Sequence, residues 1–79
     1  MTSRSLRVRI HNQRPTAIEV ALEPWGDVHP LAAQEAATLV VTGPLASGIE
    51  IAMVDTGIAV YAGPGDVIDV VDADARDPG

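Results

Sequence analysis

Four side chains in the first part of the chain have the chemistry to hold a divalent metal: His11, Glu23, Asp27 and His29, with Asp66 farther along. Imidazole nitrogen and carboxylate oxygen are suitable donors for zinc or a harder cation. Their spacing argues against it. Neither His-x-His nor His-x-x-x-His occurs, so two solvent-exposed histidines are the simpler reading and no metal or other cofactor is expected. Covalent chemistry fares no better. The chain has no cysteine, and Ser47 before Gly48 lacks the Gly-x-Ser-x-Gly elbow that presents a nucleophilic serine. A domain this small has little room to enclose a pocket of about 300 Å3, so no catalytic residue is expected and the chain does not read as an enzyme.

Binding is the remaining chemistry, and it centres on Leu22-Glu23-Pro24-Trp25-Gly26, which contains the single tryptophan. The candidate binding residues are Glu23, Trp25, Gly26, His29 and Tyr61. Trp25 has two readings. It is either an exposed anchor of the kind enriched in interface hot spots, or a plug closing one end of a core poor in large side chains, and the plug is preferred because tryptophan is usually well buried. Glu23 is placed to accept the indole N–H, and Gly26 to permit the backbone reversal. Carbohydrate and single-stranded nucleic acid usually need several aromatic platforms, and only Trp25 and Tyr61 are available.

Composition narrows the partners further. Seventy-nine residues carry five arginines, no lysine and eleven Asp and Glu, for a net charge of -6. An acidic surface repels phosphate, so nucleic acid and anionic membrane are not expected partners. Arg4, Arg7, Arg9 and Arg14 precede residue 15, whereas six acidic residues lie from Asp55 onward. The N-terminal residues show no apolar signal region and no run long enough to span a membrane, so a cytoplasmic bacterial protein is expected. Without disulfides, and with a core of Val, Ile, Leu and Ala, a chain of this size has reason to self-associate, most simply as a dimer.

The elements that must position these residues are strands. Leu6, Val8 and Ile10 alternate with Arg7, Arg9 and His11, and Ile18, Val20 and Leu22 alternate with Glu19, Ala21 and Glu23. With Asn12-Gln13-Arg14-Pro15 as a turn, these two segments are expected to form an antiparallel hairpin, arginines facing glutamates across it. Asp27 to Leu31 is a doubtful short strand interrupted by Pro30, and Ala32 to Ala37 a helical turn or loop. Strands are expected at Ala37–Thr42, Ile49–Val54, Ile58–Ala62 and Val67–Val71, with Asp55-Thr56-Gly57 as a tight turn and Gly63-Pro64-Gly65-Asp66 as a strong one. Val67 and Val71 share a face with Asp69, which suggests a strand half-buried on both faces or an edge that meets another chain. The expected fold is a small all-β sandwich or jelly-roll-like barrel of six to seven strands, one domain over residues 5–72, with a flexible N-terminus (1–4) and a frayed acidic tail (73–79).

The pieces His11-Asn12, Leu22 to Gly26, Val60-Tyr61 and Pro64-Gly65 resemble those of a group of small uncharacterised bacterial all-β proteins with a Leu-Glu-Pro-Trp-Gly corner. That resemblance implies a compact β-fold and no established activity. It departs at Ala33-Gln34-Glu35, where such sequences often have a Pro-Gly-Glu turn. The overall expectation is a non-catalytic binding or structural module that self-associates through strand edges or an aliphatic face. The alternative is a small-ligand or metal-binding domain with its site beside Trp25, Glu23 and His29.

Overall fold

The computed structural model describes the backbone of residues 3–74 and the side chains of residues 3–71. The last residues of the expected acidic tail, 75–79, and the first two of the chain lie outside the described residues. Seven strands form two sheets: β1 (Arg4–His11), β2 (Ile18–Glu23), β3 (Asp27–Leu31), β4 (Ala36–Gly43), β5 (Glu50–Val54), β6 (Gly57–Tyr61) and β7 (Val67–Asp74). One sheet has the order β1-β4-β7 and the other β3-β2-β6-β5, which makes an all-β sandwich.

Alternation sets the layers. Leu39 and Val41 of β4, Val20 and Leu22 of β2, Leu31 of β3, Val60 of β6 and Ile68 of β7 meet in one buried cluster. Each large aliphatic fully removed from water there contributes on the order of 2 kcal/mol. Val8 and Ile10 of β1 pack at its margin. The doubtful strand is real: Pro30 is tolerated in β3 because β3 is an edge, where a missing N–H costs no ladder bond. β7 continues to Asp74, past the expected end at Val71, and a bulge opposite Thr38 and Leu39 interrupts its pairing with β4.

The expected β1–β2 hairpin does not form. β1 pairs with β4 in the three-stranded sheet, whereas β2 pairs with β3 and β6 in the other, so Arg7 and Arg9 face no glutamates of β2. The segment between β1 and β2 is an arch crossing from sheet to sheet, and Asn12 holds it. Asn12 is 2 % exposed. Its Nδ2 donates to the carbonyls of Thr16, Leu31 and Ala32 at 2.9–3.0 Å, and its Oδ1 accepts from the Arg14 N–H at 3.0 Å. Its backbone joins the next arch as well, donating to Glu35 O and accepting from Gln34 N. The stretch expected as a helical turn is that second arch: a turn at Ala33-Gln34 leads into β4, which starts at Ala36.

β2 and β6 run parallel, with Leu22 beside Val60 and Glu23 beside Tyr61. Parallel strands end on the same side. The Pro24-Trp25 corner after β2 and the Gly63-Pro64-Gly65 turn after β6 are therefore neighbours at one end of the sandwich, opposite the Asn12 arches.

Candidate functional site

The loop end carries an open cleft of about 340 Å3, lined by Pro24, Trp25, Ala62, Gly63, Pro64, Gly65 and Asp66. Trp25 does not plug the core. It is 47 % exposed, on a corner outside the two sheets where Gly26 adopts φ +78°. The reversal is closed by a Gly26 N–H to Leu22 O bond of 2.9 Å. The room for a cleft, which a chain this small has little chance of enclosing between its sheets, comes from two loops standing apart at the surface.

Asp66 forms part of this cleft and is 4 % exposed. Its Oδ1 accepts the Leu45 N–H at 2.9 Å, latching the Gly43-Pro44-Leu45 loop, where Leu45 sits at φ +54°. Its Oδ2 is buried and has no hydrogen-bond partner among the described residues. Glycines make room for the carboxylate: a Cβ on Gly43 would collide with Oδ1, and one on Gly63 would lie 3.3 Å from Oδ2 and 3.1 Å from Ser47 Cβ. Read in sequence, Gly63-Pro64-Gly65-Asp66 is only a turn. Its role appears once β4 and β6 are known to end together and bring Gly43 and Gly63 to opposite sides of one carboxylate.

The other candidate residues divide. Tyr61 lines a shallower depression of about 130 Å3 next to the cleft, with Ser47, Gly48, Glu50, Ala62 and Gly63. Glu23 is half-buried beside Tyr61, and its carbonyl accepts the Ala62 N–H at 3.0 Å. Gly26 serves the corner. His29 is not part of this end: it is exposed on β3 and lines a separate apolar cavity of about 40 Å3 with Ile10, Val20 and Leu39. His11 lies on β1 in the other sheet, and the cleft that Trp25 lines includes neither His29 nor Glu23. Among the described residues no group of three or more His, Asp or Glu is placed to hold a metal ion, and no helix is long and apolar enough to cross a membrane.

A second feature lies on the four-stranded sheet. On its edge strand β5, Ile51 and Met53 pair with the inward-facing Val60 and Ile58 yet stay exposed. They are 49 % and 82 % exposed, and Val54 on the opposite face is 42 % exposed. The other three edges are guarded in ways that commonly block strand addition. β3 has Pro30, β1 carries Arg4, Arg7 and Arg9, and β7 has its bulge together with Asp69. β5 has none of these devices, and its one charge, Glu50, stands at its start.

Comparisons of the chain with protein-family models, with curated proteins and with solved structures found no match.

Proposed function

We propose that the chain is a small, non-catalytic structural and binding module of the bacterial cytoplasm that self-associates as a twofold dimer through β5. The observation that carries this reading is the contrast among the four sheet edges: only β5, among the described strands, offers an unguarded ladder with exposed aliphatic side chains. Antiparallel pairing about a twofold axis at Ala52 sets Ile51 opposite Met53 of the second copy and Glu50 opposite Val54. No like charges meet, and the apolar side chains of both copies pool on one face. The same operation on β1, centred at Val8, would put Arg7 opposite Arg9, and on β7, centred at Asp69, it would set that aspartate opposite its own copy.

The β5 hairpin also has the right polarity for such pairing. Its two-residue turn, Asp55-Thr56, is flanked by the Val54–Gly57 pair. In such hairpins the flanking pair exchanges hydrogen bonds and the bonding alternates from there, so Ile51 and Met53 direct their N–H and C=O groups to the free edge. A native mass spectrum of the tag-free protein tests the reading. A dimer that becomes monomeric on Met53→Lys supports it, and a wild-type chain that stays monomeric at micromolar concentration contradicts it.

A further inference from the structure

The cleft at the loop end has no part in that dimer, and its chemistry is specific. A buried carboxylate oxygen without a partner is costly. Here the cost sits in a carboxylate for which two glycines make room, where any larger residue at Gly43 would clash. Only one oxygen, Oδ1, is used by the fold. The walls of the cleft are the rings of Pro24, Trp25 and Pro64, and no residue lining the cleft or the adjoining depression is basic. Glu23 precedes the cleft in the chain, Glu50 lines the neighbouring depression, and the whole chain has a net charge of -6. Anions are thus disfavoured. A metal ion would want several protein donors, and no such group is present among the described residues. An N–H-bearing organic cation satisfies all three features at once: its charge meets the acidic end, its N–H groups supply what Oδ2 lacks, and its carbon chain lies on proline and indole rings.

We infer that this cleft binds a primary ammonium or guanidinium group on an alkyl chain, with Asp66 as its charge partner and Trp25 as its apolar wall. The group comes either from a free amine or from an exposed Lys or Arg side chain of another protein. Oδ2 is covered in the empty protein, so binding includes a small displacement of the Gly63-Pro64-Gly65 turn, whose two glycines carry no side chain to obstruct it.

Calorimetry with agmatine, with N-acetylarginine amide and with choline tests this, alongside emission from Trp25, the single tryptophan. Saturable one-to-one binding of agmatine is expected, with a change in Trp25 emission. Comparable binding of the blocked arginine would assign the cleft to a side chain, and binding of agmatine alone would assign it to a free amine. Choline, which has the charge but no N–H, is expected to bind about tenfold more weakly or worse. Asp66→Asn keeps an oxygen for the Leu45 N–H while removing the charge, and is expected to weaken agmatine binding by about tenfold or more without altering the oligomeric state. Should that variant fail to fold, Trp25→Ala, at an exposed position, gives the same decision by calorimetry. No saturable binding of either N–H cation, equal affinity in wild type and Asp66→Asn, or choline binding as tightly as agmatine would overturn the inference. Asp66 is not part of β5, and the oligomeric state is read separately from binding, so failure of the cleft and failure of the dimer are distinguishable.

Discussion

β3 and β5 are the two edges of one sheet, each five residues long and each paired on one side only. The exposed residues of β3 are Asp27, Val28, His29 and Pro30; those of β5 are Glu50, Ile51, Met53 and Val54. Both strands pay the same conformational cost of being held in a sheet, so the difference is not about forming the sandwich. Proline and polar residues on β3 remove a donor and make partner strands unwelcome, whereas β5 keeps its donors and adds apolar surface. On the proposed reading, β3 closes the sheet and β5 is the edge that takes the second copy.

The largest expected effect comes from making β5 resemble β3. Met53→Pro removes an N–H that points to the free edge, leaves the ladder to β6 intact and places a ring where a partner strand would lie. Dimer association should weaken by roughly a hundredfold or more, measured by sedimentation across a concentration series. Far-ultraviolet circular dichroism should stay that of the wild type.

Next is a change that loosens the fold while sparing both edges. Asn12→Ala strands the carbonyls of Thr16, Leu31 and Ala32 and the Arg14 N–H, and should destabilise the protein by about 3 kcal/mol. For a chain of this length that is a fall in Tm of more than about 10 °C. Under the proposed pairing through β5, association favours the folded state by mass action, and the Tm of this variant should rise as protein concentration rises. In the Asn12→Ala, Met53→Pro double variant that dependence should vanish, as differential scanning calorimetry at several concentrations would show.

A smaller effect is expected at Met53→Lys. The side chain is largely in water, so folding stability should move by no more than about 0.5 kcal/mol, while the charge on the edge shifts the monomer–dimer balance toward monomer. The smallest is Pro30→Val, which restores a donor to β3. Two usable edges per chain then permit open growth of the sheet, and light scattering should detect a minor population larger than the dimer.

How much of this could be read from the sequence follows from which signals are local. Alternation and turn residues are local, and they located six strands and the tight Asp55-Thr56 turn, whose following glycine adopts φ +155°, leaving β3 doubtful because of Pro30. Sheet assignment is not local. Asn12-Gln13-Arg14-Pro15 has turn chemistry whether the chain folds back within a sheet or arches to the other one, so β1 and β2 read as a hairpin although they belong to different layers. The exposed valines at 54, 67 and 71 were visible as aliphatic residues on polar faces, but their consequences depend on which strands lie at edges. Trp25 misled because its size argues for burial, while the proline before it and the glycine after it carry it past the end of the sheets. Asp66 stood out only as a turn residue and a distant candidate metal donor. Its importance arises from Gly43 and Gly63, twenty residues apart in sequence, meeting around one carboxylate.

Amide hydrogen exchange, resolved by residue, tests the unguarded edge most directly, because it reports on the free-edge N–H groups themselves. At concentrations where the chain is dimeric, Ile51 and Met53 should exchange slowly, and they should become fast on dilution to monomer. Val28, which shares the free side of β3 with Pro30, should exchange fast at every concentration. Fast exchange at Ile51 and Met53 in a dimeric sample, or slow exchange at Val28, would contradict the assignment of β5 as the self-association edge.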